Sequence, residues 1–467
     1  MVACPCSACG CSIDGLLSFS LSPHIAEILA SNELPSDTER VAISDENGHL
    51  RTRIAELNTH ISQAEASLKQ LKTAKAALEA HLAARAHILS PISTLPTDIL
   101  CEIFARCAEP DDLPTASGHF AFEEKAPWLL ATVSRRWRTT AIAFSQLWSH
   151  IAIRLRIPHD LRYNRLVLRL QRSQQNPLYL YLMSSSVSLQ KFPDIIRVLS
   201  ETSHRWKHLS LCGPLPLLQS LFIQELPLPL LQAIHINVCG VPVNISSSVF
   251  RNASSLAHLT VPADVLLHSE WPVSQITACT ILEVQRGIPN STVCGVIRQF
   301  TRLRVLDLTY RRWSLISEDE PHESPIILPS LTKLTLGLCG SGDQMLEALL
   351  LPNLTCLCLE GYLNSTAVFQ IHSLHARSNF DLSKLTLGDM TNLTSDNVFH
   401  LLEAFPRIFE LCFRHSYRNT ETILTRLAEE TTMIPNLKVL ILSNYIPISE
   451  KCLLVLANSR PNIYVEF

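Results

Sequence analysis

From residue 206 onward one pattern recurs: an apolar residue followed by others three and five places later. Its first positions are Trp206, Leu231, Leu256, Cys279, Leu303, Leu331, Leu354, Leu382, Ile408 and Leu437, spaced 23 to 29 residues apart. The most regular units are Leu303 to Leu308, Leu331 to Leu336, Leu354 to Leu359 and Leu437 to Leu442. Side chains alternate along a strand, so the fourth and sixth places of each unit share one face and must be buried together. Between these runs lie helix-like pairs: Met345-Leu346 with Leu349-Leu350, Val398-Phe399 with Leu401-Leu402, and Leu453-Leu454 with Leu456. Each unit therefore reads as a strand and a helix returning to a parallel neighbour. The alternating run Leu178-Tyr179-Leu180-Tyr181-Leu182 predicts a further strand ahead of them.

Two other segments precede this array. From Leu50 to Leu89 two heptad series run in parallel, Leu50, Leu57, Ala64, Leu71, Leu78 and Ile54, Ile61, Leu68, Lys75, Leu82, Leu89. Their offset of four is the seam of a coiled coil, and no proline interrupts the chain between Pro35 and Pro91. Such a seam wants a partner, either a second copy or the body of the same chain, and Ala64, Lys75 and Arg85 weaken it. Next, Ser90 to Trp148 opens with Leu95-Pro96, places Asp98 in a first helical turn, and pairs Ile99 with Ile103 and Leu100 with Phe104. That is more apolar surface than one short helix buries alone. Its expected partners are Trp128, Leu129, Leu130, Val133, Trp137, Ile142 and Trp148, together with something outside the chain.

Two resemblances follow from these residues. Leu95-Pro96, Asp98, Ile99-Leu100, Ile103-Phe104, Val133-Ser134, Trp137 and Leu147-Trp148 stand in the order of the F-box, so this stretch of roughly sixty residues resembles that family. It departs in a longer loop from Cys107 to Pro127, and in Ser145 where many members carry proline. The array beyond residue 200 resembles the leucine-rich repeat family in pattern and period. The Asn or Cys that follows the strand in that family stands only at Cys239 and Cys339.

The expected fold is α then α/β, divided as a flexible tail at 1–40, a coiled-coil helix at 41–90, an F-box-like helical module at 91–150, a connecting segment and cap at 151–200, and a leucine-rich solenoid at 201–467. Apolar residues make up 47% of the chain and charged residues 17%, a folded composition. A net charge of -3 with no basic stripe argues against nucleic acid, and no apolar window is long enough for a membrane span. The start MVACPCSACGCSIDG lacks the basic region of a secretory signal, and most of the fifteen cysteines fall inside apolar runs, so a cytoplasmic or nuclear setting is expected. Cys4, Cys6, Cys9 and Cys11 offer four thiols, but a structural zinc site uses two ligand pairs separated by a folded segment, so this tail is read without metal. No phosphate-binding glycine loop, nucleophile elbow or HExxH pair occurs, and no enzyme or cofactor is expected. Histidines at repeat positions, such as His208, His235 and His258, are expected to face solvent.

Together the resemblances imply the substrate-recognition adaptor of a Skp–cullin–F-box ubiquitin ligase. Leu95, Pro96, Ile99, Leu100, Ile103 and Phe104 would dock on the Skp-family linker subunit, and through it a cullin, with Val133, Trp137 and Trp148 as the module's core. A protein target would lie on the outward strand positions, which the alternation assigns to Glu283, Gln285, Val305, Asp307, Thr309, Lys333, Thr335, Lys384, Thr386, Glu410 and Arg414. Asp307, Arg312, Trp313 and Lys333 are the expected patch, because Tyr, Arg and Trp dominate binding hot spots. The rival reading is a coiled-coil-dimerised leucine-rich scaffold with no ligase role.

Overall fold

The computed structural model describes residues 22–31, 34–89, 91–108, 126–155, 160–184, 193–214, 219, 221–222, 225–239, 248–282, 290–308, 325–338, 342–390, 392–414, 420–442 and 448–466. The chain divides into two units, 1–96 and 97–467.

The first unit is built on one helix of 53 residues, Asp37–Leu89. It begins four residues before the expected boundary, and a separate helix, Pro23–Ser31, lies within the segment read as a flexible tail. Its start is a capping box. The Ser36 amide and hydroxyl both donate to the Glu39 carboxylate, at 2.7 and 2.6 Å, while the Glu39 amide donates back to the Ser36 hydroxyl. These bonds hold the Glu39 carboxyl below its ordinary range, helped by His24 at 3.2 Å. Gly48 sits inside this helix with open space where a Cβ would be. Gly48→Ala is therefore expected to stabilise the helix by about 0.5–1 kcal/mol, because alanine loses less backbone freedom. Helical circular dichroism on heating checks this, and an unchanged or lower midpoint would contradict it.

The second unit is α/β. Its helices Thr97–Ala108, Ala126–Val133 and Arg135–Ala143 and the 3-10 turn Ser145–Trp148 precede a sheet. The strands are β1 (His150–Leu155), β2 (Leu178–Ser184), β3 (Trp206–Pro214), β4 (Ala233–Cys239), β5 (His258–Pro262), β6 (Ala278–Leu282), β7 (Val305–Leu308), β8 (Ile326–Ile327), β9 (Lys333–Leu338), β10 (Leu349–Leu350), β11 (Cys356–Tyr362), β12 (Lys384–Asp389), β13 (Glu410–Phe413), β14 (Val439–Leu442) and β15 (Tyr464–Glu466). Thirteen of them form one open parallel sheet whose order follows the chain, while β8 and β10 pair separately beside it. Parallel neighbours need a crossover to return the chain. Helices such as Ser365–Ser378, Ser395–Glu403, Thr420–Glu429 and Glu450–Ser459 supply it, with Asn364, Thr394 and Ser449 capping three of them.

Register places the repeated apolar residues side by side: Leu209, Ile234, Leu259, Cys279, Leu306, Leu334, Leu357, Leu385, Leu411 and Leu440 form one continuous buried row. One unit is corrected here. Cys279 pairs with Leu259 and Leu306, so it holds the fourth place and Ile276 the first. The spacing becomes 20 and then 27 residues. Cysteine and isoleucine are both apolar and both buried here, and either fits the pattern. The outward residues of this strand are accordingly Ala278 and Thr280, while Glu283 and Gln285 fall outside the described residues. Leu349-Leu350, read as helical, form β10.

Candidate functional site

The helical module is assembled from the motif residues, with several roles exchanged. Ser134 stands before the helix Arg135–Ala143 in extended conformation, and its hydroxyl accepts from the Trp137 amide at 3.1 Å. This N-cap is the physical reason for a serine ahead of that tryptophan. Arg138 Nε donates to the Ala131 carbonyl at 2.9 Å, fixing this helix against Ala126–Val133. The Trp137 ring meets Phe104 at 5.1 Å between centroids.

Leu100 and Phe104 are fully buried, so this pair is the module's core and cannot also serve a partner. Ile99 is 45% exposed, and Ile103 is half-buried. Val133, expected in the core, is 60% exposed at the last position of its helix. Leu129, one turn earlier, and Ile142 on the following helix are exposed too. A 3.6-residue period separates i and i+1 by about 100°, so adjacent apolar pairs must diverge and only one lies inside. The module thus presents Ile99, Leu129, Val133 and Ile142 to solvent. Trp137 is half-buried; Leu95 is half-buried and Pro96 exposed in the first unit.

Trp148 is the true keystone. It is wholly buried, its indole N–H donates to the Ala141 carbonyl at 2.7 Å, and its ring meets Trp128 edge-on at 5.0 Å. The Arg172 guanidinium lies over both rings, 4.4 Å from Trp148 and 5.2 Å from Trp128. Ser145, where a proline is common, accepts from the Asn176 side chain at 2.7 Å. Arg205 grips the Asn176 carbonyl and the Ser173 hydroxyl at 2.8 and 2.7 Å. These bonds join the module to the first strands of the sheet. Sequence reasoning missed Arg172, Asn176 and Arg205, because lone polar residues in connections carry no periodic signal.

The outward face of the sheet is the second candidate surface. One row runs through Ser210, His235, Thr260, Thr280, Asp307, Thr335, Cys358, Thr386 and Cys412. Asp307 accepts from the Thr280 hydroxyl at 3.4 Å. Lys333 is exposed on the next strand, in register with Val305, two residues before Asp307 on the same face. Lys384 pairs with Glu410, and Arg414 reaches across β12 to Glu360 at 2.7 Å. Gly388 lies on the strand between. A Cβ there would meet the Leu359 carbonyl oxygen at 2.8 Å, so only glycine lets the strands approach so closely. Burial pushes the Cys358 thiol up to about 11, so it stays protonated and unreactive at neutral pH. Arg312 and Trp313 lie outside the described residues, as do Thr309 and Cys4 to Cys11.

At the β1–β4 end this face is buried, against expectation. His150 stacks on Tyr179 with centroids 4.3 Å apart, His208 meets Tyr181 at 5.4 Å, and His208 and His235 are each 7% exposed. Burial holds all three imidazoles down at about 4, with Arg169 and Lys207 acting on His150 and neighbouring histidines on His208. They are neutral at pH 7. Among the described residues no group of three or more His, Cys, Asp or Glu is arranged to hold a metal ion, and no helix is long and apolar enough to cross a membrane.

No protein-family model matches the chain, and no curated protein matches it. Among solved structures, a chain of the Rad7 and Elc1 complex in yeast aligns at 11% identity with a TM-score of 0.38, over 83% of this chain and 97% of that one. A likeness that loose does not establish a shared fold.

Proposed function

We propose that this chain is a protein-recognition adaptor of a Skp–cullin–F-box ubiquitin ligase, with the helical module docking on the Skp-family linker and a leucine-rich solenoid holding the target. The observation that carries this reading is the exposed apolar set Ile99, Leu129, Val133 and Ile142, on a module whose motif residues stand in F-box order. Apolar side chains of this size on three short helices gain by burial against a partner. The target surface is the outward sheet face around Asp307 and Lys333, where both charges mix with threonines and thiols. The chain contributes no reactive group. It acts in the cytoplasm or nucleus by raising the effective concentration of target lysines near the charged enzyme.

Co-purification of the Skp-family linker subunit with the intact chain tests this. Leu95→Ala with Pro96→Ala, and separately Ile99→Asp with Val133→Asp, are each expected to weaken linker binding at least about a hundredfold, about 2.7 kcal/mol. Both pairs leave the buried Leu100 and Phe104 in place, so circular dichroism should be unchanged. If no linker binds the wild-type chain, the leucine-rich scaffold without a ligase role replaces this reading.

A further inference from the structure

The long helix Asp37–Leu89 carries an apolar stripe that its own unit leaves open: Ile61 is 53%, Leu71 68% and Leu78 70% exposed. We infer that this stripe is the interface of a parallel, in-register homodimer. The inference is independent of the ligase reading.

The seam itself selects the partner. Its a positions hold Asn47, Ile54, Ile61, Leu68, Lys75, Leu82 and Leu89, and its d positions hold Ile43, Leu50, Leu57, Ala64, Leu71, Leu78 and Arg85. Two of the a positions, Ile54 and Ile61, set isoleucine beside Leu50 and Leu57 at d, the combination that packs best as two parallel strands. A polar residue at a fixes register. Asn47 meets its own counterpart only when two copies run parallel and unshifted. In that arrangement the flanking g and e' positions bring Glu46 of one chain to Arg51 of the other and His60 to Glu65, each twice by symmetry. No like-charged g–e' pair occurs anywhere along the helix. The antiparallel alternative that keeps most apolar layers together sets Lys75 against Leu57 and Glu65 against its own copy. Lys75 also has its charge balanced within the chain, with Nζ 3.6 Å from Glu79. Its ammonium therefore leans off the seam.

Among the described residues this is the only helix with such a stripe, and a stripe of five heptads is matched in length by another copy of itself. Parallel pairing brings the two Leu89 ends together. The assembly then carries every surface of the chain twice, so a partner that presents its epitope twice is held more tightly than by one copy.

Light scattering of the full-length chain is expected to give about twice 52.2 kDa. Leu71→Lys with Leu78→Lys, both exposed in the single chain, and half-buried Leu57→Lys should return it to a monomer without loss of the sheet, since all three lie on the long helix of the first unit. Orientation is read from charge reversal. Glu46→Arg and Arg51→Glu alone should each raise the dimer dissociation constant about fivefold or more, and the double variant should restore it. A monomeric wild-type chain overturns the inference, as does a dimer indifferent to the triple variant. A double variant no better than its parents overturns the parallel register.

Discussion

Trp148→Ala is expected to lower the stability of the second unit by about 3–5 kcal/mol, the cost of removing a fully buried large aromatic. The side chain has no exposed surface, closes the helical module against Trp128, and satisfies the Ala141 carbonyl. Its loss also strips the Arg172 guanidinium of one aromatic face. Trp137, half-buried beside Phe104, should cost distinctly less when truncated. Urea titrations followed by circular dichroism rank the two. Equal losses, or a larger loss for Trp137, would mean that the module is held together elsewhere.

Acid is expected to destabilise the fold as well, and in a defined window. In the unfolded chain His150, His208 and His235 take up protons near 6.5; in the folded chain they resist until about 4. Their folded pKa values are depressed, so stability present above pH 6.5 is lost as the pH falls toward 4. Each contributes up to about 3 kcal/mol of that loss at 1.36 kcal/mol per unit, less where neighbouring histidines titrate together. The groups facing them are Arg169, Lys207 and the other histidines, including His258. Glu39 and Glu421 have carboxyls held below their ordinary 4.5 and act at still lower pH. The urea midpoint should therefore fall steadily from pH 6.5 to 4, and His208→Gln with His235→Gln should flatten that slope. A midpoint flat across the window would show that the imidazoles are not held neutral by burial.

Neither surface was visible in full from the residues. The exchange of roles between Val133 and the Leu100–Phe104 pair illustrates why: a motif gives order and residue type, while burial depends on how three short helices rotate against one another. The histidines illustrate the same limit. His208 and His235 hold outward strand positions as alternation requires, yet they are buried at the β1–β4 end. Position on a strand sets the face of a side chain and says nothing of what lies across from it.

What the sequence alone determined is whatever depends on periodicity. The heptads gave the long helix, and the apolar residues at places one, four and six gave the parallel strands in chain order, because local spacing dictates which side chains share a face. Tertiary structure decided what depends on contacts between distant segments. It set the register that moved Cys279 to the fourth place, the pairing of Arg414 with Glu360 over Gly388, and the burial of Trp148 under Arg172. Those residues lie tens of positions apart, and only packing brings them within reach of the short-range forces that give them their roles.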